Sequence, residues 1–215
     1  MADQTVRLPD PHLRERLDAA IDREAKIPRA LGSLGPVADK RVLLIDATDG
    51  LRAGQLEAMG ALVTTVESAG LVSVEDGSAD VVIAFWTAIR PGEEPAAEQV
   101  AHVMRVLDPG GRLLVVHDYG RDDVTRLLGS REDEEQLMSW SHRQGPFLVN
   151  GFKVKVLHCW WSWDTLEEAI TLLRDAFGAA GAALGETMRR PRLSYKVAVY
   201  HRDHETATLA PWAVA

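Results

Sequence analysis

The stretch 40–67, KRVLLIDATDGLRAGQLEAMGALVTTVE, constrains the fold of this chain most. Residues 42–45 form a short, continuous apolar run, as expected of a parallel strand buried on both faces. Asp46-Ala-Thr-Asp-Gly50 is a turn closed by glycine. Residues 51–59 place Leu51, Ala53, Leu56 and Ala58 or Met59 at helical spacing, and Gly60 stops the helix. Residues 62–66 are a second β-branched run that ends at Glu67. Strand, turn, helix and strand make a βαβ unit, and an acid at the end of its second strand is the framework of a nucleoside-binding site.

The rest of the chain extends this unit. Residues 11–25 spell a charged amphipathic helix with His12, Leu13, Leu17, Ala20 and Ile21 on one face, and His12 reads as a surface residue at its start. Residues 27–37 read as a connector broken by glycine and proline. After Glu67 come a turn at Asp76-Gly-Ser, a buried run at 80–85 and a loop at Trp86-Thr87. A helix over 93–107 leads to the tight turn Asp108-Pro-Gly-Gly-Arg112, and a third buried run at 113–116 opens into His117-Asp118-Tyr119. Residues 121–141 read as a charged helical segment and 144–151 as a loop. Residues 152–159 then alternate strictly, with Lys153 and Lys155 placed to discourage edge pairing. Asp164-Thr-Leu-Glu167 is a capping box for a helix to about Phe177, with residues 178–185 continuing it or forming a loop. Residues 193–200 alternate again. These elements predict an α/β three-layer sandwich, mostly parallel, whose last strands run differently. The organisation expected is an N-terminal helix and connector over 1–36, a main domain over 37–202 and a tail over 203–215.

Composition limits the partners. Of the residues, 46% are apolar and 26% charged, as in an ordinary soluble protein, and the net charge is −8. The one dense basic cluster, Arg189-Arg190-Pro191-Arg192, reads as a solvated turn, so no nucleic acid is expected. No apolar run is long enough to span a bilayer. A single cysteine, Cys159, excludes an internal disulfide and suits a reducing cytoplasm. Arginine in excess of lysine, with frequent alanine, suits a GC-rich bacterial genome. One cysteine and no paired-histidine spacing give a metal site little support.

Two stretches, EDGSADVVIAF over 75–85 and RVLDPGGRLLVV over 105–116, resemble the segments that lead into the fourth and fifth strands of class I S-adenosylmethionine-dependent methyltransferases. The resemblance covers roughly 37–202 and implies a Rossmann-like sheet finished by an antiparallel strand. It also implies S-adenosylmethionine as cofactor and a small-molecule methyl acceptor. The chain departs from the pattern in its first turn. The family's acid falls at Leu44 and its glycines at Asp46, Thr48 and Gly50, so only the last glycine is kept. Glu67 matches the acid that takes the ribose hydroxyls. Beyond it, only residues 68–75 precede the Asp76 turn, too few for a parallel crossover of a dozen or more. The third strand, its helix and most of the adenine-side wall are therefore expected to be missing.

Charge separates the possible cofactors. Asp46 and Asp49 would face the pyrophosphate of NAD or FAD, and each like-charge pair at ~4 Å costs about 4 kcal/mol at an effective dielectric near 20. S-adenosylmethionine has no phosphate and is cationic, so Asp46 or Asp49 can accept from its amino group; equally, the turn can be a polar cap for the helix that follows. The candidate cofactor contacts are Asp46, Thr48, Asp49, Gly50, Glu67, Trp86 and Thr87. The candidate catalytic residues are His117 as a base with a pKa near neutrality, Asp118 to orient it or contact the ligand, and Tyr119 beside an aromatic acceptor. His117 can equally be a strand-end histidine with a backbone partner, and Asp118 a helix cap. The tryptophans at 160, 161 and 163 can line an acceptor or cover a sheet edge. The competing expectation is a non-catalytic relative with a binding or assembly role, joined to a partner or a second copy through the sheet edge that the missing strand leaves.

Overall fold

A computed structural model describes residue 8 and residues 10–47, 50–93, 95–129 and 131–204, with 131–133 described by backbone alone. Candidates Thr48 and Asp49, and residues 205–215 of the tail, lie outside the described residues.

One six-stranded sheet organises the chain, in the order β2-β1-β3-β4-β6-β5. Its strands are β1 (Arg41–Ile45), β2 (Leu62–Val66), β3 (Ala79–Phe85), β4 (Leu107–Asp118), β5 (Lys153–Ser162) and β6 (Arg192–Asp203). The first four pair in parallel, and β6 runs antiparallel to both β4 and β5. The apolar runs are continuous because both sheet faces are covered. Val42, Leu44, Ile83 and Leu114 join one core with α1 (Pro11–Ala20), α2 (Lys26–Leu34), Leu56 of α3 (Leu51–Glu57) and α8 (Leu166–Thr187). Leu43, Ile45, Val82 and Leu113 join the opposite core with α4 (Ala96–Val106), Trp140 of α6 (Arg131–Trp140) and Phe147 of α7 (Pro146–Val149). α5 (Asp123–Leu128) follows β4 directly.

Among the described residues no strand lies between β2 and β3, as the sequence spacing requires. From Val66 the chain passes through a 3-10 turn over Ser68–Ser73 into β3, and β2 is left as a sheet edge with Leu62 64% exposed. At the opposite edge, Lys153 and Lys155 of β5 are exposed, the usual defence against edge pairing.

Several local expectations change. The connector over 27–37 contains α2. Pro28 falls in its first turn, where a missing N–H costs nothing. Asp22 caps that turn, its carboxylate accepting from the N–H of Lys26 at 2.9 Å and of Ile27 at 2.8 Å. The glycines at 110 and 111 are an irregularity within β4, which pairs with β3 on both sides of them. The charged segment 121–141 is two helices, α5 and α6, and the loop 144–151 contains α7. The cap of α8 is Thr165, whose Oγ1 accepts from the Glu168 N–H at 3.1 Å, so the box sits one residue later than its Asp164 reading. α8 runs on to Thr187 with a break at Gly178 (φ 57°, ψ −131°), where glycine tolerates the turn. The break folds the chain back so tightly that a Cβ on Gly181 would lie 1.9 Å from the Leu173 carbonyl oxygen.

No helix among the described residues is long and apolar enough to cross a membrane.

Candidate functional site

The strand order reverses between β1 and β3, and ligands in open α/β sheets bind outside the carboxyl ends of strands at such a point. Asp46 follows β1 in the left-handed region (φ 58°), which aspartate tolerates better than most residues. Its N–H donates to the Val66 carbonyl at 3.0 Å. Its carboxylate accepts from the Ser68 N–H at 2.8 Å, the Ser68 hydroxyl at 2.6 Å and the Thr87 hydroxyl at 2.9 Å. The ends of β1, β2 and β3 are therefore gathered on one carboxylate. Gly50 caps α3 at φ 73°, the kept glycine standing where a side chain would be strained. Glu67 is exposed beside this cluster in sequence, at the end of β2. No motif marks Ser68 in the sequence; its position directly after Glu67 was the available signal.

Trp86 and Thr87 diverge. Thr87 turns to Asp46, while Trp86 is 2% exposed and donates from its indole Nε1 to Asp118 Oδ1 at 2.8 Å. The indole stacks on Phe85 at 5.4 Å between centroids, with the Arg52 guanidinium 6.0 Å from its ring. Asp118 Oδ1 also accepts from the Tyr195 hydroxyl at 2.8 Å. Asp118 is thus a buried-side anchor for two aromatic residues. The helix cap is instead Asp122, which accepts from the Thr125 N–H at 2.7 Å. Tyr119 is half-buried, packs on the second core and donates its backbone N–H to Lys196.

His117 is 1% exposed, and its Nε2 donates to the Ile89 carbonyl at 3.1 Å, the tautomer a carbonyl partner requires. Its ring meets Trp140 edge-on at 4.9 Å. Burial pushes its pKa down to about 3, offset in part by the carbonyls of Ile89 and Trp86. The expected near-neutral pKa therefore does not hold: His117 is a buried, neutral imidazole. Its folded pKa lies below the unfolded value near 6.5, so between the two the unfolded chain binds more protons and stability falls as pH falls. From pH 7 to pH 5 the wild type is expected to lose about 2 kcal/mol more than His117→Leu, measured by urea denaturation at each pH. Equal losses would contradict the assignment.

Trp86, His117 and Asp118 come together on one cavity of about 230 Å³ between β4 and the α5–α6 region, with Arg90, Thr125 and Gln136 completing its polar lining. No motif or spacing in the sequence marks Arg90 or Thr125. The tryptophans at the end of β5 and just beyond it serve packing. Trp161 and Trp163 are buried in the first core, and the Arg192 guanidinium lies 4.2 Å over Trp160. Cys159 is a buried free thiol, its pKa pushed up to about 12 by burial, which leaves it inert as a nucleophile.

No known family model matches this sequence, and no curated protein does. Solved structures do. A chain of the complex between the Haloferax volcanii Trm112 methyltransferase activator and a methyltransferase is 14% identical, with 87% of this chain and 93% of that chain covered and a TM-score of 0.49. A candidate methyltransferase from Bacillus halodurans is 12% identical, over 84% and 99%, at a TM-score of 0.45. The Haemonchus contortus phosphoethanolamine N-methyltransferase 2, in complex with S-adenosyl-L-methionine, is 15% identical, over 80% and 51%, at 0.43. The sheet itself carries the fold assignment: four parallel strands closed by two antiparallel C-terminal strands, with helices on both faces, make a Rossmann-like methyltransferase sandwich.

Proposed function

We propose that the chain binds S-adenosylmethionine at the carboxyl ends of β1, β2 and β3 and transfers its methyl group to a small molecule. The observation that carries this reading is the convergence of those three strand ends on the Asp46 carboxylate, with Glu67 exposed at the end of β2. A site built on carboxylates repels a pyrophosphate and suits a cationic, phosphate-free nucleoside. In this reading Asp46 accepts from the cofactor's amino group, Glu67 takes the ribose hydroxyls, Gly50 lets the backbone approach, and Thr48 and Asp49 complete the first turn. When bound, the cofactor supplies an electrophilic methyl group on a sulfonium. The chain's part is to hold donor and acceptor in line. His117, neutral at pH 7, serves as a hydrogen-bond acceptor more readily than as a strong base. Glu67→Ala is expected to weaken S-adenosylhomocysteine binding tenfold or more in calorimetric titration, because the diol loses a charge-assisted partner. Unchanged affinity would mean that the ribose lies elsewhere.

A second reading is favoured by β2 alone. Its sequence LVTTV carries no charge, unlike the lysine-guarded β5, and it forms an exposed edge. Such an edge suits strand addition by a partner chain or a second copy, with the protein serving in binding or assembly.

A further inference from the structure

We propose that β2 pairs antiparallel with β2 of a second copy of this chain, about a two-fold axis at Thr64, and joins the two sheets into one. The backbone fixes which groups this edge offers. Leu62 donates its N–H to the Lys40 carbonyl, and the Val66 carbonyl accepts from the Asp46 N–H. Leu62, Val66 and Thr64 between them therefore turn their backbone groups toward β1, and Val63 and Thr65 turn theirs outward. The row ends there, because Ala61 gives its N–H to the Leu56 carbonyl and the Glu67 carbonyl accepts from the Gly70 N–H. A free row of two residues centred on Thr64 matches a copy of itself. In this register Val63 of each copy meets Thr65 of the other, and each meeting exchanges an N–H and a C=O in both directions. Thr64 lies opposite Thr64, with the two Cα atoms about 4.5 Å apart.

Charge and shape select a second copy as the occupant. The net charge of −8 sets one copy against another over most of the surface. β2 itself is uncharged, and in this register no acid faces an acid along 61–67. Glu67 of one copy falls opposite Ala61 of the other, next to Lys40 at the start of β1, a charge of opposite sign. Leu62 falls opposite Val66, an apolar pair that the axis repeats. Leu62 and Val72, each 64% exposed, are two of the three exposed large apolar residues among the described residues. A groove of about 580 Å³, lined by Leu43, Ala61, Leu62, Val63 and Val74, opens at the start of β2. Antiparallel pairing carries the turn after one copy's β2, which holds Val72, to the start of the other's β2. Each copy's Val72 then has the other's groove to fill. The opposite sheet edge, β5, is guarded by Lys153 and Lys155; β2 has no such guard.

This inference commits the exposed edge to one occupant and does not depend on S-adenosylmethionine binding. Sedimentation equilibrium of the full chain, with no ligand added, tests it. The wild type is expected to be a dimer at about 50 μM, as an interface of micromolar affinity gives. Thr64 is exposed, so substitutions there leave the core of each copy untouched. Thr64→Lys and Thr64→Glu each set like charges face to face across the axis, and each is expected to weaken dimerisation at least tenfold. Mixing the two variants sets lysine opposite glutamate and is expected to restore the dimer. A variant that merely misfolds is not repaired by mixing. A wild type without a dimer of itself, whether alone or bound to another protein, would overturn the proposal. So would a dimer that both variants keep, or a mixture of the two that stays monomeric. Because no nucleoside is present, failure here leaves the S-adenosylmethionine reading to its own test.

Discussion

Trp161→Ala is expected to lower the free energy of unfolding by about 3–5 kcal/mol in urea denaturation at pH 7. Trp161 is fully buried and is the largest side chain in that class. Its ring stacks on Phe177 of α8 at 6.1 Å and meets Tyr195 of β6 at 6.3 Å, and its backbone bridges to Ile21 just after α1. Truncation leaves a void where a helix, two strands and the N-terminal segment meet, and a close-packed interior relaxes only partly to fill it. Domains are stable by only about 5–15 kcal/mol, so the variant forfeits a large share of the total. Trp161→Phe is expected to cost much less. It keeps most of the volume and removes a buried indole N–H that has no hydrogen-bond partner. A loss below about 1 kcal/mol for the alanine variant would show that α8 does not depend on this contact.

Asp122→Ala is expected to cost about 2–4 kcal/mol. The carboxylate is 1% exposed and accepts from the Thr125 N–H at 2.7 Å and the Lys196 N–H at 3.0 Å. It thus caps α5 and fastens that helix to β6. Alanine removes the cap, worth about 1 kcal/mol, and leaves the part-buried Lys196 amide without its acceptor, worth about 1–3 kcal/mol. Burial raises the Asp122 pKa in the folded protein. The folded state therefore binds this proton more readily than the unfolded chain, and the residue's own contribution falls as pH rises from the unfolded carboxylate range through the raised value. The deficit of the variant, measured by urea denaturation, should be present at pH 7. A variant as stable as wild type would remove Asp122 as the link between α5 and the sheet.

The sheet was legible because its chemistry is local. Continuous runs such as 42–45 and 113–116 can be buried only on two faces, and the strict alternation after Phe152 marks a half-covered edge strand. The missing third strand followed from chain length alone. Where local signals conflict with tertiary ones, sequence reasoning failed. Pro28 and Gly32 read as breakers, yet Pro28 sits in the first turn of α2, and Gly32 makes room for Met59, whose Cε lies 2.2 Å from where its Cβ would be. The cap on that helix comes from Asp22, across a turn the periodicity does not show. The length of α8 depended on Gly178, which reads equally as a stop or a hinge.

At the site, residue types were legible but their states were not. The sequence brings His117 to the end of β4; only the packing of Trp140 and Phe147 around it makes it a buried neutral ring. Trp86 and Thr87 read as one loop, but their side chains serve different clusters. Thr125 and Arg90 lie on neighbouring elements that no spacing rule joins to β4.

Equilibrium titration of the wild-type chain with S-adenosylhomocysteine and with NAD tests the central claim most directly. Both carry adenosine, and only NAD carries a pyrophosphate. With Asp46 held at the mouth of the crevice, the account predicts saturable heat for S-adenosylhomocysteine and none for NAD. Heat for NAD, or none for S-adenosylhomocysteine at millimolar concentration, would contradict it.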